Sequence, residues 1–494
     1  MHYLNDDFNN YFSTSAFRRI NKIHFVGIGG SGMSGIAEVL CNLGFQVTGS
    51  DIAKNDATNR LLSLGVQVAF SHIAENAAYC DAIVISSAVP RDNIECLIAK
   101  KRRIPIIHRA EMLAELMRFK YGIAIAGSHG KTTTTSLIAT ILAEANQDPT
   151  FVVGGKLNKF SSNAKLGAGE FFVAEADESD ESFLHLNPLL AVITNIDNDH
   201  LCNYGGDVNN LKKAFLEFAH RLPFYGLAVV CRDDPVIADC MHNIARPLLS
   251  YGFSEEADIR ATCYKQQYNT SSFKVLLPGE SLPKEIILNL PGKHNALNAL
   301  AAIAVGMELK IDFSIIAQTL KNFHGIGRRF QIHGNFFINN QNGNKKFLLL
   351  DDYGHHPKEI SAVIKAIKEG WSTSRLVIVF QPHRYSRTEQ LLFDFVNVLA
   401  MADHIVLLDI YSAGEKVIEN ISSQRIINEI ANIHQKPTIL ISQDPATTIE
   451  DSLFNVLNEI LQDGDILLMQ GAGDIGKLTT KLASKLKICE EIKV

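Results

Sequence analysis

The chain has 494 residues, a length that predicts two to four domains. Hydrophobic residues make up 46% of it and charged residues 20%, which is typical of a globular protein. Its formal charge of −6 argues against a polybasic surface for nucleic acid, and no apolar stretch reaches the length of a membrane span. The N-terminal segment lacks the basic and apolar stretches of a secretory signal, and the eight cysteines form no CxxC pair. These features predict a cytoplasmic protein with no nucleic-acid partner, no membrane insertion and no structural zinc or disulfides.

Short apolar runs alternate with helical stretches along the whole sequence. They include HFVGIG, GIAIAG, FFVAEA, AVITNI, FLLLDD, LVIVFQ and DILLMQ. Continuous apolar strands of this kind are typical of parallel sheets covered by helices on both faces. We therefore predict an α/β protein with mainly parallel sheets flanked by helices, with joints near Arg118–Gly122 and Gly325–Phe330. The polar stretch NNQNGNKK predicts a hairpin turn at Asn342-Gly343.

The segment GSHGKTT follows the strand GIAIAG and precedes a helical stretch. A strand, a glycine turn and a helix form the context of a phosphate-binding P-loop, in which backbone N–H groups and the helix N-terminus bind phosphate oxygens. Position 125 is isoleucine where the longer GxxxxGK[ST] form has glycine, so this turn is a compact variant. We predict ATP binding and hydrolysis by Gly127, Ser128, His129, Gly130, Lys131, Thr132 and Thr133.

Acidic residues follow the next two strands. FFVAEA ends at Glu175 in the segment EADESD, and AVITNI is followed by an acidic segment that ends at His200. Carboxylates at strand ends beside a P-loop can hold Mg²⁺ on oxygen ligands. Acids of either segment could hold the metal, and His200 could be either a second metal ligand or an orienting donor.

Seven motifs occur in an order that resembles the Mur ligases: GSHGKTT, EADESDESF, TNIDNDH, LPGKHNALNA, GRRF, DDYGHHP and FQPHRYSRT. The resemblance implies three domains: a Rossmann-like UDP-sugar-binding domain (1–119), a central P-loop ATPase domain (120–328) and a Rossmann-like amino-acid-binding domain (329–494). It implies that ATP phosphorylates the lactyl carboxylate of the UDP-sugar and that an amine then attacks the acyl phosphate. DDYGHHP and HRYSRT resemble the branch that adds L-alanine to UDP-N-acetylmuramate in peptidoglycan synthesis.

The resemblance also implies roles for single residues. Lys131 would grip the transferring phosphate, and Thr132, Glu175 and His200 would hold one or two Mg²⁺ ions, for which Mn²⁺ could substitute. Further ATP contacts are expected from Asn295, Asn298, Arg329, Asp351 and Asp352, with Arg328 an equal alternative to Arg329. The amino-acid-binding residues are expected to be Tyr353, His355, Arg384 and Arg387, the last three also catalytic. Cys202 stands where relatives usually carry an acid, and no lysine can be assigned to the carbamylated position that several relatives use.

A second glycine-rich turn, Gly27-x-Gly29-x-x-Gly32, lies between the first strand and a helix, with Asp51 at the expected later position. Read alone, it favours an NAD-dependent oxidoreductase. A P-loop has no role in hydride transfer, however, and the same turn binds any diphosphate. We therefore assign the UDP-sugar to Gly29, Gly30, Ser31, Gly32 and Asp51, with His72, Ser86 and Ser87 as weaker candidates for the uridine or sugar.

Two other readings remain open from the sequence. One is a P-loop switch protein without catalysis, which would need neither a second nucleotide-type pocket nor a rim of arginines and histidines. The other is a ligase that attaches a peptide, rather than alanine, to the same UDP-sugar. A further glycine-rich segment, Gly471–Gly476, predicts a tight turn that closes the last domain. The sequence is compatible with a monomer or a homodimer.

Overall fold

The computed structural model describes residues 17, 19–160, 162–199, 201–340, 343–442 and 447–488. The chain divides into two compact units. One consists of Met1–Cys263, Phe273–Ile287 and Leu297–Phe323, and the other of Tyr264–Ser272, Leu288–Ala296 and His324–Val494. The described residues form three sheets. The first sheet and most of the second lie in the first unit, and the third lies in the second unit.

The first sheet has five strands in the order β3-β2-β1-β4-β5, and all neighbouring strands are parallel. This order matches the first five strands of a Rossmann-like sheet, in which ligands bind beyond the carboxyl ends of the strands. The strands are β1 (Lys22–Val26), β2 (Gln46–Ser50), β3 (Gln67–Ala69), β4 (Ala82–Ile85) and β5 (Ile106–His108). The helices are α1 (Ser31–Asn42), α2 (Asp56–Ser63), α3 (Ile94–Arg102) and α4 (Arg109–Met117).

The second sheet has ten strands in the order β15-β14-β13-β12-β11-β10-β6-β9-β7-β8. The pairs from β13 to β9 and the pair β9/β7 are parallel, and β7/β8 is antiparallel. The strand that precedes the P-loop, β6, therefore lies between the two strands that precede the acidic segments, β9 and β10. The strands are β6 (Tyr121–Ala126), β7 (Thr150–Leu157), β8 (Ser162–Lys165), β9 (Phe171–Glu175), β10 (Leu190–Ile193), β11 (Leu227–Cys231), β12 (Leu248–Gly252), β13 (Ile259–Gln267), β14 (Thr270–Leu276) and β15 (Lys284–Leu288). The helices are α5 (Lys131–Glu144), α6 (Val208–His220), α7 (Pro235–Cys240), α8 (Lys293–Glu308) and α9 (Phe313–Lys321).

The third sheet has seven strands in the order β20-β19-β18-β21-β17-β16-β22. The predicted hairpin is present: β16 and β17 pair antiparallel, and the turn residues 341 and 342, including Asn342, lie outside the described residues. The strands are β16 (Gln331–Asn340), β17 (Gly343–Asp352), β18 (Leu376–Phe380), β19 (His404–Leu408), β20 (Thr438–Ile441), β21 (Asp465–Gln470) and β22 (Lys487–Ile488). The helices are α10 (Pro357–Gly370), α11 (Tyr385–Gln390), α12 (Leu392–Leu399), α13 (Ser423–His434), α14 (Ile449–Ile460) and α15 (Ile475–Lys485).

Apolar side chains cover both faces of the third sheet. One cluster joins Leu350, Ile378 and Phe380 to α10, α12 and α13, and the other joins Leu349 and Val379 to α14 and α15. Strands buried on both faces need continuous apolar sequence, which is why FLLLDD and LVIVFQ show no alternation. Among the described residues, no helix is both long and apolar enough to cross a membrane.

Candidate active site

The segment Gly127–Thr133 forms the predicted turn between β6 and α5. Gly127 and Gly130 have φ angles of +130° and +81°, a region that L side chains rarely adopt. A Cβ atom on Gly127 would lie 2.1 Å from the hydroxyl oxygen of Thr194, so close packing also requires glycine there. Helix α5 begins at Lys131, and its first N–H groups give the turn a positive end that suits a phosphate.

The ammonium group of Lys131 lies within this turn. Its Nζ donates hydrogen bonds to the carbonyl oxygens of Gly127 (2.6 Å) and Ser128 (3.3 Å) and to Glu178 Oε2 (2.6 Å). Burial by itself lowers the pKa of Lys131, but the carboxylates of Glu178 and Asp177 outweigh burial, and the pKa is raised. Lys131 is therefore a fixed positive charge, for which a phosphate at the turn would compete with Glu178.

Glu175 lies at the carboxyl end of β9, opposite Ile125 of β6. Its Oε1 accepts a hydrogen bond from the N–H of Gly154 (2.6 Å). Thr132 and Thr133 are buried in the first turn of α5. Neighbouring parallel strands thus bring the Glu175 carboxylate and the start of α5 to the same edge of the second sheet, as the sequence predicted.

The loop that follows β10 is hydrogen-bonded to the P-loop. The amide of Asn195 accepts from the N–H of His129 (2.8 Å) and donates to the carbonyl of His129 (2.9 Å). His129 Nε2 lies 3.0 Å from Asp197 Oδ2. These contacts fix the P-loop to the second acidic segment. His200 and the side chain of Cys202 lie outside what the structure describes, so the metal role of His200 stays a prediction.

The two asparagines of α8 are buried and have different surroundings. Asn298 lies against the P-loop: Thr134 Oγ1 donates to its Oδ1 (3.3 Å), and a Cβ atom on Gly130 would lie 2.4 Å from the same oxygen. The side-chain amide of Asn295 donates to the carbonyl of Pro291 (2.7 Å). Asn298 therefore supports the turn directly, and the adenine contacts expected of both residues stay a prediction.

The first sheet carries the other predicted glycine turn, between β1 and α1. Gly27 has a φ of +76°, and α1 begins at Ser31 after Gly30. Asp51 Oδ2 accepts a hydrogen bond from the N–H of Gly29 (2.8 Å). A Cβ atom on Gly29 would lie 2.8 Å from that same oxygen. Asp51 therefore stabilises the turn itself, and one N–H group expected to bind a diphosphate is used within the protein.

Arg109, the first residue of α4, was not singled out from the sequence. A Cβ atom on Gly32 would lie 2.9 Å from Arg109 Nη1, and Arg109 Nη2 donates to Asp177 Oδ2 (3.0 Å). Burial alone would raise the pKa of Asp177, but Lys131 and then Arg109 outweigh burial and lower it. One guanidinium group thus contacts both the glycine turn of the first sheet and the acidic segment of the second.

The weaker uridine or sugar candidates lie at the carboxyl edge of the first sheet. His72 Nδ1 lies 3.1 Å from Glu95 Oε2 and 3.0 Å from Ser50 Oγ. Ser86, which is half-buried, and Ser87, which is exposed, directly follow β4. This edge is where a doubly wound sheet binds ligands, so the placement agrees with the predicted class of site.

Asp352 ends β17 and is buried. Its Oδ2 accepts from the N–H of Phe330 (2.8 Å), and its Oδ1 accepts from the N–H of Gly354 (2.7 Å) and the amide of Gln470 (2.8 Å). Burial raises the pKa of Asp352 to about 6, although Arg329 and the backbone N–H groups lower it. Asp352 therefore holds the strand-end loops together, and its expected ATP contact stays a prediction.

Arg328 and Arg329 both lie over the ring of Tyr353, each 5.1 Å from its centroid. Arg328 Nη2 also donates to the carbonyl of Gly471, and its Nε lies 3.4 Å from Asp351 Oδ2. Arg329 makes a longer ion pair of 3.9 Å with an acid of α10. Arg328 thus stabilises the predicted tight turn at Gly471, where φ is +146°. The ATP contact expected of one of these two arginines stays a prediction.

Four aromatic rings form a row at the carboxyl edge of the third sheet. The ring centroids are 5.6 Å apart for Tyr353 and His355, 5.7 Å for His355 and His383, and 5.4 Å for His383 and Tyr411. Burial, together with nearby arginines such as Arg387, lowers the pKa of both histidines to about 4. Both imidazoles are therefore neutral at pH 7. The sequence prediction contained His355 but not His383, although FQPHRYSRT includes it.

The two predicted arginines beside this row differ in exposure. Arg384 is exposed and has a φ of +72°, whereas Arg387 is buried on α11. Glu415 fixes the start of this helix, because its carboxylate accepts bonds from Ser386 Oγ (2.7 Å) and the N–H of Ser386 (3.1 Å). Arg384 thus lies at the surface directly before this helix, and Arg387 is buried on the helix itself.

Models of one protein family match the chain in three consecutive parts. The Mur ligase family catalytic domain matches residues 22–121, the Mur ligase middle domain matches 125–306, and the Mur ligase, glutamate ligase domain matches 328–473. These three ranges contain the first sheet, the P-loop with its acids, and the row of rings.

Solved structures of peptidoglycan ligases resemble the whole chain. UDP-N-acetylmuramate-alanine ligase from Thermotoga maritima is 29% identical, with a TM-score of 0.78 over 94% of this chain and 98% of that one. A UDP-N-acetylmuramate:L-alanyl-γ-D-glutamyl-meso-diaminopimelate ligase from Neisseria meningitides is 28% identical, with a TM-score of 0.57 over 63% of this chain and 100% of that one. A murein peptide ligase from Psychrobacter arcticus (22% identity, TM-score 0.71, 95% and 100% covered) shows the fold alone. The chain therefore belongs to the Mur ligases, a family of ATP-dependent ligases that build peptidoglycan precursors.

Proposed function

We propose that this protein joins L-alanine to the lactyl carboxylate of UDP-N-acetylmuramate and converts ATP to ADP and phosphate. The observation that carries the proposal is the likeness to the Thermotoga maritima alanine ligase, which extends over 94% of this chain and 98% of that one. The P-loop with its partly buried Lys131 supports the use of ATP.

The chemistry explains why a ligase needs this turn. A carboxylate is a poor acyl donor at neutral pH, so ATP first transfers its γ-phosphate to the lactyl carboxylate. The amine of alanine then attacks the acyl phosphate, an amide bond forms, and phosphate leaves with the electron pair of the broken C–O bond. Lys131 neutralises charge that develops on the transferring phosphate, and the protein otherwise acts by positioning the reactants.

The residues present fit a magnesium ion. The hydroxyl of Thr132, in the helix that follows β6, and the carboxylate of Glu175, at the end of the adjacent parallel strand β9, are hard oxygen donors. We propose that these two residues hold the ion, which would neutralise the phosphate oxygens of ATP. His200 lies outside the described part of the chain, so its proposed contribution to metal binding rests on the sequence.

The third sheet offers suitable groups for the amino acid. The exposed guanidinium group of Arg384 can bind a carboxylate through two parallel hydrogen bonds. An amine must lose a proton when it attacks the acyl phosphate, and a neutral imidazole, such as that of His355 or His383, can accept it. Tyr353 and Arg387 complete the proposed amino-acid site.

Phosphate release tests the proposal when each substrate is omitted in turn. We expect full turnover only with ATP, UDP-N-acetylmuramate and L-alanine together. Lys131→Ala should abolish turnover, and Lys165→Ala serves as its matched control because Lys165 forms a half-exposed pair with Asp148 away from the turn. Turnover with the tripeptide L-alanyl-γ-D-glutamyl-meso-diaminopimelate, but not with alanine, would instead support the activity named for the Neisseria meningitides relative.

A further inference from the structure

A buried carboxylate, Glu95, lies beneath the carboxyl edge of the first sheet and has 0% exposure. Ser50 Oγ donates to its Oε2 (2.6 Å), and Asn76 Nδ2 donates to its Oε1 (2.6 Å). Burial alone would raise the pKa of Glu95, but nearby His24 and the hydrogen bonds from Ser50, Asn76 and His72 lower it to about 2. Glu95 is therefore ionised and can only accept hydrogen bonds.

This carboxylate determines which nitrogen of His72 carries a proton. His72 Nδ1 lies 3.1 Å from Glu95 Oε2, so Nδ1 must be the donor. Ser50 Oγ, 3.0 Å from the same nitrogen, gives its hydrogen to Glu95 and so also faces His72 as an acceptor. In the neutral imidazole, Nε2 is then an acceptor. The side chain of His72 is 25% exposed and can be reached by a ligand.

His72 and the glycine turn lie along the same edge of the first sheet. The turn is held by Asp51 through the N–H of Gly29, and Asp51 directly follows Ser50, which contacts His72. These groups follow one another along the carboxyl edge from the turn toward the end of β3. In a doubly wound sheet, a nucleotide whose diphosphate lies at the turn extends its nucleoside along this edge.

We propose that Glu95 is a positioning residue that fixes His72 as a hydrogen-bond acceptor for the N3–H of uracil, so that the first sheet selects uridine over cytidine nucleotides. The inference rests on the proposed binding of a UDP-sugar. Uracil N3 carries a hydrogen, whereas cytosine N3 is an acceptor and would face the Nε2 lone pair. A site built to accept a hydrogen bond rejects an analogue that lacks the donor, because a polar group is left unpaired.

Glu95→Gln should reverse the proton arrangement. Asn76 Nδ2 also donates to the carbonyl of Ser71 (2.8 Å), which holds its amide in place, so the oxygen of the new glutamine faces Asn76. The glutamine NH₂ group then faces His72 and donates to Nδ1. Nε2 becomes the protonated nitrogen and prefers an acceptor, as cytosine N3 is.

The experiment measures UDP and CDP affinities of the full chain by calorimetry, with saturating ADP to occupy the P-loop. We expect the wild type to prefer UDP by at least about tenfold, the value of one well-placed hydrogen bond. Glu95→Gln should lower the UDP/CDP ratio by at least about tenfold. A loss of folded protein reduces both affinities alike, so a merely structural role leaves the ratio unchanged.

Two further variants make the test independent of the buried carboxylate. His72→Phe removes the acceptor and should remove the preference for UDP without any change at Glu95. Thr48→Val is the matched control, because Thr48 hydrogen-bonds to His24 Nδ1 (2.8 Å) in another part of the same buried region. The UDP/CDP affinity ratio of this variant should equal that of the wild type. If the wild type prefers UDP and either Glu95→Gln or His72→Phe keeps that ratio, the inference is wrong. If the wild type binds neither UDP nor UDP-N-acetylmuramate, the proposed function fails instead.

Discussion

Gly127→Ala perturbs the P-loop at its tightest point. The new Cβ would lie 2.1 Å from Thr194 Oγ1 and 3.0 Å from the carbonyl oxygen of Asn195. Thr194 would have to rotate and give up its bond to the carbonyl of His129 (2.6 Å), at about 1 kcal/mol. The φ of +130° adds strain of about 1–3 kcal/mol for a residue with a side chain. We therefore expect the first unit to lose about 2–4 kcal/mol of unfolding free energy.

Urea unfolding and calorimetric ADP binding measure the two consequences. ADP affinity should fall at least about tenfold, because displaced N–H groups no longer converge on the phosphates. Gly279→Ala is the matched control, since Gly279 has a φ of +77° but no atom within 4 Å of the added Cβ. Thr194→Ala in the Gly127→Ala background should restore part of the stability. A Gly127→Ala protein that is as stable as Gly279→Ala and binds ADP normally would refute the steric argument.

Three further variants test other contacts by urea unfolding. Gly32→Ala should lower the unfolding free energy by about 1–2 kcal/mol, because the added methyl group displaces Arg109. This loss should vanish in an Arg109→Ala background, and a loss that persists there contradicts the assigned contact. Arg375→Met should destabilise the second unit by about 3 kcal/mol, because the buried carboxylate of Asp465 loses two hydrogen bonds from Arg375, of 3.0 and 2.7 Å. An unchanged urea midpoint would show that this ion pair contributes nothing to stability. In the folded protein the pKa of His383 is about 4, below its ordinary 6.5. Between pH 4 and pH 6.5 the unfolded chain therefore binds more protons at this histidine than the folded protein does. The unfolding free energy should rise with pH over this range, by about 3 kcal/mol from His383. His383→Phe should reduce that rise by about 3 kcal/mol, while His355, whose pKa is also about 4, still contributes its own part. A wild type whose midpoint is equal at pH 4.5 and 7.5 would be inconsistent with this expectation.

Local sequence predicted the turns and the strands that carry them. The P-loop, its helix from Lys131, the glycine turn before Ser31 and the tight turn at Gly471 all follow from glycines placed between an apolar run and a helical stretch. Such signals can be read locally because a positive φ and a helix start depend on residues close together in the chain. The seven ordered motifs likewise indicated the family that the matched models show.

Strands without a strong apolar run were missed from the sequence. The sequence analysis did not predict β7 and β8, the strands from β12 to β15, or the short edge strands β3, β5, β20 and β22. Several of these alternate between buried and exposed residues or are only two to four residues long. Their pairing partners, rather than their own composition, stabilise them.

The order of motifs was enough to show that two glycine turns, a set of acids and a rim of arginines and histidines occur in one chain. The pairing of charged and polar side chains depends on the fold. Glu178 meets Lys131, Arg109 meets Asp177, and His72 meets a buried Glu95 that belongs to no motif. A carboxylate is held ionised in a protein interior when donors from several distant segments converge on it. The separation of these donors in the chain leaves no local pattern, so the protonation of the site becomes visible only when the fold brings them together.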